Sequence, residues 1–434
     1  MISSHQKRLT IILIILFCAS CGGGGGGSSS PPNNNQPIDP EEKQWNSVKL
    51  NTISSVGLSQ PEVRTIIDSN DNLHIVYYSS VGSREYSIFH QIWDTRTFQQ
   101  ASDKTSIIKI DNCQDLATGV TIENEPIIMY QGGNFPSCGY TETSDIMMKI
   151  YEDNQWKEYT VSIGEVERNP IVNDGLVGRS FDMVVDNQNQ VHMCFQFFYE
   201  GCDTITLKNP DLWYVSLSPD SLDQIPEAVS VEGNDFDNGN IHNKVGYFNS
   251  IALTQNNEPM IFYQAELPDT KKGLRVAYWN NPNWEIEWIE TNIEVENISA
   301  AWNDKNNYMG VAYYITINDL YGGLNHCLKY AEKINDNWQT FLIDESTYCG
   351  NYCSLTYDNN GNPLIAYNAE KSRSGYALNY LKLASRTGSI WKTETISDKY
   401  NIGHYNTIQV DNNDRIYISS FSKEKNSVYM FVYE

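Results

Sequence analysis

Short apolar runs alternate with turns rich in Asn, Asp and Gly along most of the chain. The pattern is clearest between Tyr352 and Ile396, where strand-like runs flank the turn Asp358-Asn-Asn-Gly-Asn362. Runs of about four to eight β-branched, aromatic and aliphatic residues bounded by turn residues are typical of β-strands. Beyond the first twenty residues no long stretch has helical periodicity, so the pattern predicts an all-β protein.

The same unit recurs seven times, at spacings that average about 57 residues. Its turns begin at Asp68, Thr121, Asp186, Thr254, Asn303, Asp358 and Asp411. A repeat of this length with four strands is the size of a propeller blade, and blades that pack on both faces explain apolar runs without polar alternation. We therefore expect a seven-bladed β-propeller of four-stranded antiparallel blades over residues 45–434.

The fourth strand of several units begins with Trp, as at Trp156, Trp284, Trp338 and Trp391. The first and third units lack this Trp, and their fourth strands are expected near residues 106–110 and 228–231. The seventh unit ends after its third strand, whereas an unassigned strand-like run beginning at Trp45 precedes the first unit. Because a propeller avoids open sheet edges by closing its ring, the N-terminal strand should join the last blade.

The N-terminus has a basic start, an apolar run over residues 9–17 and the sequence Cys18-Ala-Ser-Cys21. This resembles the lipobox of bacterial lipoproteins. The resemblance implies a signal peptide over residues 1–20, lipidation of Cys21 with palmitate among its acyl chains, and, because Gly22 rather than Asp follows, an outer-membrane address. An ordinary cleaved leader or a short anchor is the alternative.

Residues 21–44 are rich in Gly, Ser, Pro and Asn, a composition that predicts a disordered tether between membrane and propeller. The chain carries 54 acidic and 30 basic residues, a formal net charge of −24. Such a charge repels nucleic acid, so no nucleic-acid partner is expected. We expect a monomer in the cell envelope, with the side of the membrane left open.

Long segments between strands fall on one face of the predicted ring, which we call the long-loop face; they include residues 131–145, 162–179, 199–211 and 218–249. Long loops on a rigid scaffold commonly carry function. The candidate ligand-binding residues on this face are His242, His326, His404, Tyr405 and Arg179.

Acidic residues in the longest loop, Asp235 and Asp237, are the only metal candidates, and Ca²⁺ is the ion they would suit. Ordinary turn chemistry explains them equally, and no other cofactor is expected. Because an exported chain permits disulfides, three cystines are candidates: Cys113–Cys138, Cys327–Cys349 and Cys194–Cys202. Cys194 also suits a core position, and Cys353 is expected to be a buried thiol.

The turns that place Asp and Gly in a hairpin, as in residues 358–362, resemble those of the sialidase-like propellers with BNR-type repeats. The resemblance implies architecture alone, because the Ser-x-Asp-x-Gly-x-Thr-Trp box of that family is missing and seven units stand in place of six.

The favoured function is binding of a glycan or a protein partner on the long-loop face, where Tyr and Trp would stack or anchor. Alternatives are a carbohydrate-active enzyme, either a sialidase-like hydrolase or a polysaccharide lyase, and a structural part of an envelope complex. Paired carboxylates in one pocket would favour a hydrolase, and a His/Tyr pair near an Arg would favour a lyase. A shallow aromatic surface without perturbed acids would favour simple binding.

Overall fold

The computed structural model describes most of the chain from Trp45 onward. The described ranges are residues 45–52, 62–82, 85–97, 99–102, 105–110, 115–132, 145–153, 155–162, 175–200, 207–219, 228–233, 244–268, 271–318, 324–346, 348–373 and 376–433. They form seven antiparallel sheets arranged as the blades of a propeller, which confirms the predicted fold class. No helix among them is long and apolar enough to cross a membrane.

The strands follow the repeat. Blade 1 contains β2 (Val63–Ile67), β3 (Asn72–Gly82), β4 (Glu85–Asp94) and β6 (Thr105–Ile110), with the short β5 (Gln99–Gln100) also paired to β4; blade 2 contains β7 (Leu116–Val120), β8 (Pro126–Gly132), β9 (Asp145–Glu152) and β10 (Gln155–Ser162); blade 3 contains β11 (Gly175–Val185), β12 (Val191–Glu200), β13 (Leu207–Leu217) and β14 (Val229–Glu232). The fourth strands of the first and third units, which lack the Trp, are β6 and β14, close to the positions predicted from the sequence.

The remaining blades are equally regular. Blade 4 contains β15 (Lys244–Leu253), β16 (Pro259–Glu266), β17 (Lys272–Asn280) and β18 (Asn283–Thr291); blade 5 contains β19 (Glu294–Asn303), β20 (Tyr308–Asn318), β21 (Leu324–Ile334) and β22 (Asn337–Asp344); blade 6 contains β23 (Cys349–Tyr357), β24 (Pro363–Arg373), β25 (Tyr376–Thr387) and β26 (Ile390–Ser397); blade 7 contains β27 (His404–Val410), β28 (Ile416–Ser422), β29 (Ser427–Tyr433) and β1 (Trp45–Thr52).

The ring closes as the sequence predicts, because β1 forms the outer strand of blade 7. Its residues pair antiparallel with β29 from Trp45 opposite Tyr433 to Thr52 opposite Ser427. The ring centroids of Trp45 and Tyr433 lie 5.1 Å apart with the rings tilted, and Leu50 is buried in the apolar cluster between blades 7 and 1. The two ends of the described chain thus share one sheet.

One apolar cluster fills each of the seven interfaces between neighbouring blades. Between blades 4 and 5, for example, Phe262 and Val276 pack against Val295 and Val311, all fully buried. Burying one such side chain stabilises the fold by about 1.5–3 kcal/mol. Because each sheet has a neighbour on both faces, the inner strands need no polar side.

The turns that mark the repeat also link adjacent blades. The fourth turn residue has a left-handed backbone, as at Asn124 (φ 67°) and Asn189 (φ 63°), which favours Asn, Asp and Gly. Its side chain then accepts hydrogen bonds from the preceding turn, such as that from the Ser69 amide to Asn124 Oδ1 at 2.9 Å. At the seam, Asn412 Nδ2 donates to Asp71 Oδ1 at 3.0 Å, so this belt also crosses the closure.

Three interfaces carry a second link, in which a carboxylate of one blade meets a Tyr and a cation of the next. Asp344 at the end of β22 accepts a 2.7 Å hydrogen bond from the Tyr367 hydroxyl and pairs with Lys382. The equivalent sets are Glu232 with Tyr263 and Arg275, and Glu290 with Tyr313 and Lys329. We call each of these a carboxylate latch.

One of the predicted disulfide bonds is absent from the structure. Cys327 and Cys349 are free buried thiols, so the expected bond between them is not formed. The Cys349 Sγ instead lies 3.1 Å from the carbonyl oxygen of Asp344 and acts as a weak donor to it. Cys194 is also a free, buried thiol, and its Sγ lies 3.2 Å from Asn249 Oδ1. Of the two interpretations of Cys194, the structure therefore shows the core position. Cys353 is a buried thiol, as expected.

The other members of the predicted cystine pairs, Cys113, Cys138 and Cys202, lie outside the described residues.

Candidate functional site in the axial cavity

A cavity of about 1150 Å³ follows the propeller axis and is lined by the innermost strands of the blades. Two repeat positions recur in its lining: the residues six and four places before the first residue of each turn. The outer ring, nearer the long-loop face, consists of Glu62, Asp115, Ser180, Phe248, Asn297, Tyr352 and Tyr405. The inner ring consists of Arg64, Ala117, Asp182, Ser250, Ser299, Ser354 and Thr407.

Blades 3 to 7 present the outer ring through a bulge at the start of the innermost strand. Ser180, Phe248, Asn297, Tyr352 and Tyr405 all have positive φ, between 47° and 54°, and the strand register shifts at each of these places. A left-handed non-glycine residue costs roughly 1–3 kcal/mol, and outside turns such strain is often kept at functional sites. Here the bulge turns each side chain toward the axis.

The acidic side of the outer ring is made by blades 1 and 2. Glu62 is buried, and its carboxyl is hydrogen-bonded to that of Asp115. Burial, reinforced by the neighbouring Asp115, raises the pKa of Glu62 well above its usual range. Burial likewise raises the pKa of Asp115. Since two adjacent carboxylates cannot both ionise easily, this pair holds a proton to a higher pH than an isolated acid would.

Arg64 lies in the inner ring beneath the acid pair. It forms an ion pair with Glu62, and its guanidinium is 3.9 Å from Asp115 Oδ1. Asp182 adds a third carboxyl, with its pKa raised by burial and its Oδ2 accepting hydrogen bonds from Ser250 Oγ at 2.9 Å and the Ile251 amide at 3.1 Å. Three carboxyls therefore surround one guanidinium.

Aromatic side chains line another part of the ring, from blades 4, 6 and 7, the last of which adjoins blade 1. Phe248 lines the cavity and keeps 37% of its surface exposed, which is unusual for so large an apolar side chain in a cavity. Tyr352 and Tyr405 pack with ring centroids 4.6 Å apart, and their hydroxyls share a hydrogen bond. The cavity thus combines an acidic wall with an aromatic wall in which Phe248 is partly exposed.

The inner ring also ties each blade to the next. Ser250, Ser299 and Ser354 each accept a hydrogen bond from a backbone amide of the following blade, at 3.1, 3.0 and 3.2 Å. Thr407 occupies the same position in blade 7, yet its buried Oγ1 has no hydrogen-bond partner among the described residues. The inner ring therefore has one unused hydroxyl on the wall of the cavity.

Two of the predicted site residues lie at or beside this cavity. Tyr405 lines it, in the outer ring. His404 lies behind the wall, 3% exposed and in edge contact with Tyr352, and both of its ring nitrogens lack partners among the described residues. Burial lowers the pKa of His404 to about 3, so it is neutral at physiological pH. His404 is therefore a buried neutral side chain behind the cavity wall, and its role in ligand binding stays a prediction.

His326 lies elsewhere, between the rings of Tyr314 and Tyr348 at centroid distances of 5.5 and 4.6 Å. It does not line the axial cavity. For Arg179 only the backbone is described, paired with Gln196 in blade 3. His242 and the two metal candidates, Asp235 and Asp237, lie outside the described residues.

Sequence reasoning missed Glu62, Asp115 and Asp182 as site residues. The signal was present in the repeat: when the units are aligned on their turns, each of the first three blades has one acid at a ring position, whereas hydroxyl and aromatic residues occupy most of these positions in the other blades. His74 and His192 have structural roles, since they bond to Asp68 and Asp186 in the turns of their own blades at 3.2 and 3.4 Å.

Within the described residues, no group of three or more His, Cys, Asp or Glu side chains is placed to hold a metal ion.

No protein-family model matches the chain, and no curated protein is similar to it in sequence. Solved structures with a similar course of the chain include a protein of unknown function from Dyadobacter fermentans (TM-score 0.48, 9% identity, 79% of this chain and 98% of that one). A sialidase of Trypanosoma rangeli has TM-score 0.48 and 9% identity over 89% of this chain and 59% of its own. An ulvan lyase, a polysaccharide lyase, has TM-score 0.44 and 10% identity over 78% and 79%.

Proposed function

We propose that the protein binds a glycan in the axial cavity, with the sugar between the aromatic wall and the acidic wall. The observation that carries this is the placement of Phe248, 37% exposed, in the same ring of positions as the carboxyls of Glu62 and Asp115. Sugars have an apolar face that stacks on aromatic rings and hydroxyls that bond to carboxylates. The deep cavity, rather than the whole long-loop surface, is then the binding site.

Acid catalysis on that glycan is the second candidate function, and the acid pair favours it. A carboxyl that stays protonated near neutral pH can donate its proton to a glycosidic oxygen, and such perturbed groups cluster at active sites. Glu62 fits the acid by its burial and raised pKa, with Asp115 as the partner that shares its proton. Arg64 would hold both carboxyls in place.

A panel of neutral, amino and uronic-acid polysaccharides, scored for both retention and product release by the full-length chain, tests both functions. Phe248→Ala should weaken glycan binding about tenfold or more, as removing an aromatic platform does. The control Ile390→Ala, at a 64% exposed position away from the cavity, should bind as the wild type. Retention unchanged by Phe248→Ala would refute the axial site.

Turnover separates the two functions. If the acid pair is catalytic, Glu62→Gln should retain the glycan and lower product release by about 10²–10⁴-fold. Retention of a glycan with no product from the wild type would leave binding alone as the function. Product release undiminished in Glu62→Gln would remove the catalytic role of the pair.

We also propose that lipidation of Cys21 anchors the protein in the outer membrane through the segment 21–44, as a monomer. The support is the Cys18-Ala-Ser-Cys21 sequence and the Gly at position 22. Cells fed a palmitate analogue should label the wild type and not Cys21→Ser. A labelled Cys21→Ser, or a wild type recovered only in the soluble fraction, would contradict the anchor.

A further inference from the structure

The charges that line the axial cavity are unbalanced. Its described lining holds five acidic side chains and a single cation, Arg64; the acids are Glu62, Asp115, Asp182, Asp186 and Asp304. Arg64 is already paired with Glu62 and lies near Asp115, so its charge is offset within the protein before any ligand binds. The whole chain, at a formal −24, adds to the repulsion of anionic ligands.

The imbalance is concentrated in one arc of the ring. Glu62, Asp115 and Asp182 come from consecutive blades, and burial raises the pKa of all three carboxyls. A raised pKa means that the negative charges lack sufficient compensation within the protein. A second cation placed here would relieve the repulsion that Arg64 only partly offsets.

A second and independent observation shows that the same cavity has an unfilled bonding site. Thr407 is 8% exposed, lines the cavity, and its Oγ1 has no partner among the described residues. In its counterparts Ser250, Ser299 and Ser354, the hydroxyl accepts a hydrogen bond from a backbone amide of the next blade. A buried hydroxyl without a partner costs about 1–3 kcal/mol, so a donor or acceptor supplied by a ligand would be favoured at this place.

We propose that the ligand of the axial cavity carries a protonated amino group, as an amino sugar does, and that this group lies against the carboxyls of Asp115 and Asp182. This inference rests on the proposed glycan-binding function and names its substrate class. The ammonium pairs with the carboxylates, and the proton shared by Glu62 and Asp115 is released to solvent. The groups facing that proton are Arg64, Asp182 and, from the adjoining blade 7, the hydroxyl of Tyr405.

Calorimetry with three oligosaccharides of equal length tests the proposal: one of glucosamine, one of N-acetylglucosamine and one of a uronic acid. At a pH below that of the amine's deprotonation, the glucosamine oligomer should bind at least tenfold more tightly than the N-acetylated one. The uronic-acid oligomer should bind least. Repeating the titration in buffers of different ionisation enthalpy should show net proton release for the glucosamine oligomer only.

Two variants and a control locate the effect. Glu62→Gln should abolish the proton release, and Asp182→Asn should reduce the preference for the amine about tenfold. Asp398→Asn, an exposed acid outside the cavity, should change neither. Thermal melts of all three are recorded with the titrations, and if Asp182→Asn fails to fold, the proton count with Glu62→Gln decides the test.

The possible outcomes distinguish failure of the amino-group inference from failure of the proposed glycan binding. Equal binding of the amino and N-acetyl oligomers overturns the charge inference and leaves glycan binding intact. Tightest binding of the uronic acid, or binding of CaCl₂ alone with the same proton release, also overturns it. Failure of every oligosaccharide to bind removes both the inference and the proposed function.

Discussion

The carboxylate latch of Asp344 can be tested by removing its carboxyl. The side chains of Asp344 and Lys382 are 8% and 12% exposed, and Asp344 also accepts hydrogen bonds from the Tyr367 hydroxyl at 2.7 Å and the Ser346 amide at 2.9 Å. Asp344→Ala would leave a mostly buried ammonium and a buried phenol without their acceptor. Breaking such a pair from one side costs about 3–5 kcal/mol of unfolding free energy.

Urea unfolding followed by fluorescence measures this cost. The matched control is Glu266→Ala, because Glu266 and Lys244 form a pair in which both side chains are 51% exposed, and such pairs contribute about 0–1 kcal/mol. The double variant Asp344→Leu/Lys382→Met should recover much of the loss, since it removes both charges and keeps the volume. A single variant no less stable than the control would refute the idea that the latch joins blades 5 and 6.

The same latch predicts a pH window. Although burial alone would raise it, hydrogen bonds from Lys382, Ser346 and Tyr367 lower the pKa of Asp344 from 3.8 to about 2. A carboxyl whose pKa is lower in the folded state stabilises the fold above its unfolded pKa and loses that contribution as the pH falls toward the folded value. The difference in stability between wild type and Asp344→Ala should therefore be full at pH 5 and shrink between about pH 4 and pH 2.

Two further predictions concern the seam and a buried histidine. Leu50→Ala should lower the unfolding free energy by about 2–4 kcal/mol, because Leu50 is buried between blades 7 and 1, whereas the exposed Lys49→Ala should change it little; equal effects would argue against a packed closure. His404 is neutral when folded, with its pKa lowered by burial to about 3, so its protonation in the unfolded chain should destabilise the protein as the pH falls below about 6.5. His404→Phe should make the melting temperature less dependent on pH in that range, and an unchanged slope would assign acid sensitivity to other groups.

The repeat was predictable from sequence because its signals are local. A turn whose fourth residue must be left-handed selects Asn, Asp or Gly, and Asn124, Asn257 and Gly361 show this choice in the chain itself. The apolar runs on either side then give strands, and the missing outer strand of the last unit gives the closure. These arguments need only neighbours a few residues apart.

The site was less predictable because its contacts are not local. Glu62 and Asp115 belong to different blades, and neither lies in a recognised motif, so only the ring brings their carboxyls together. The burial of His404 goes with a bulge at the next residue, Tyr405, and the spacing of residues in the sequence does not predict such a bulge. The thiols of Cys327 and Cys349 show the same limit, since a repeat places two cysteines on one face but does not set the geometry a disulfide needs.

The pairing of β1 with β29 gives this protein a built-in check on its own completeness. Synthesis delivers Trp45 long before Tyr433, so β1 has no partner strand until β29 has been made. A copy cut short before Ser427 would leave two adjoining sheet edges bare and the seam cluster open to water. Quality control that recognises exposed strands would therefore discard truncated copies and spare finished ones.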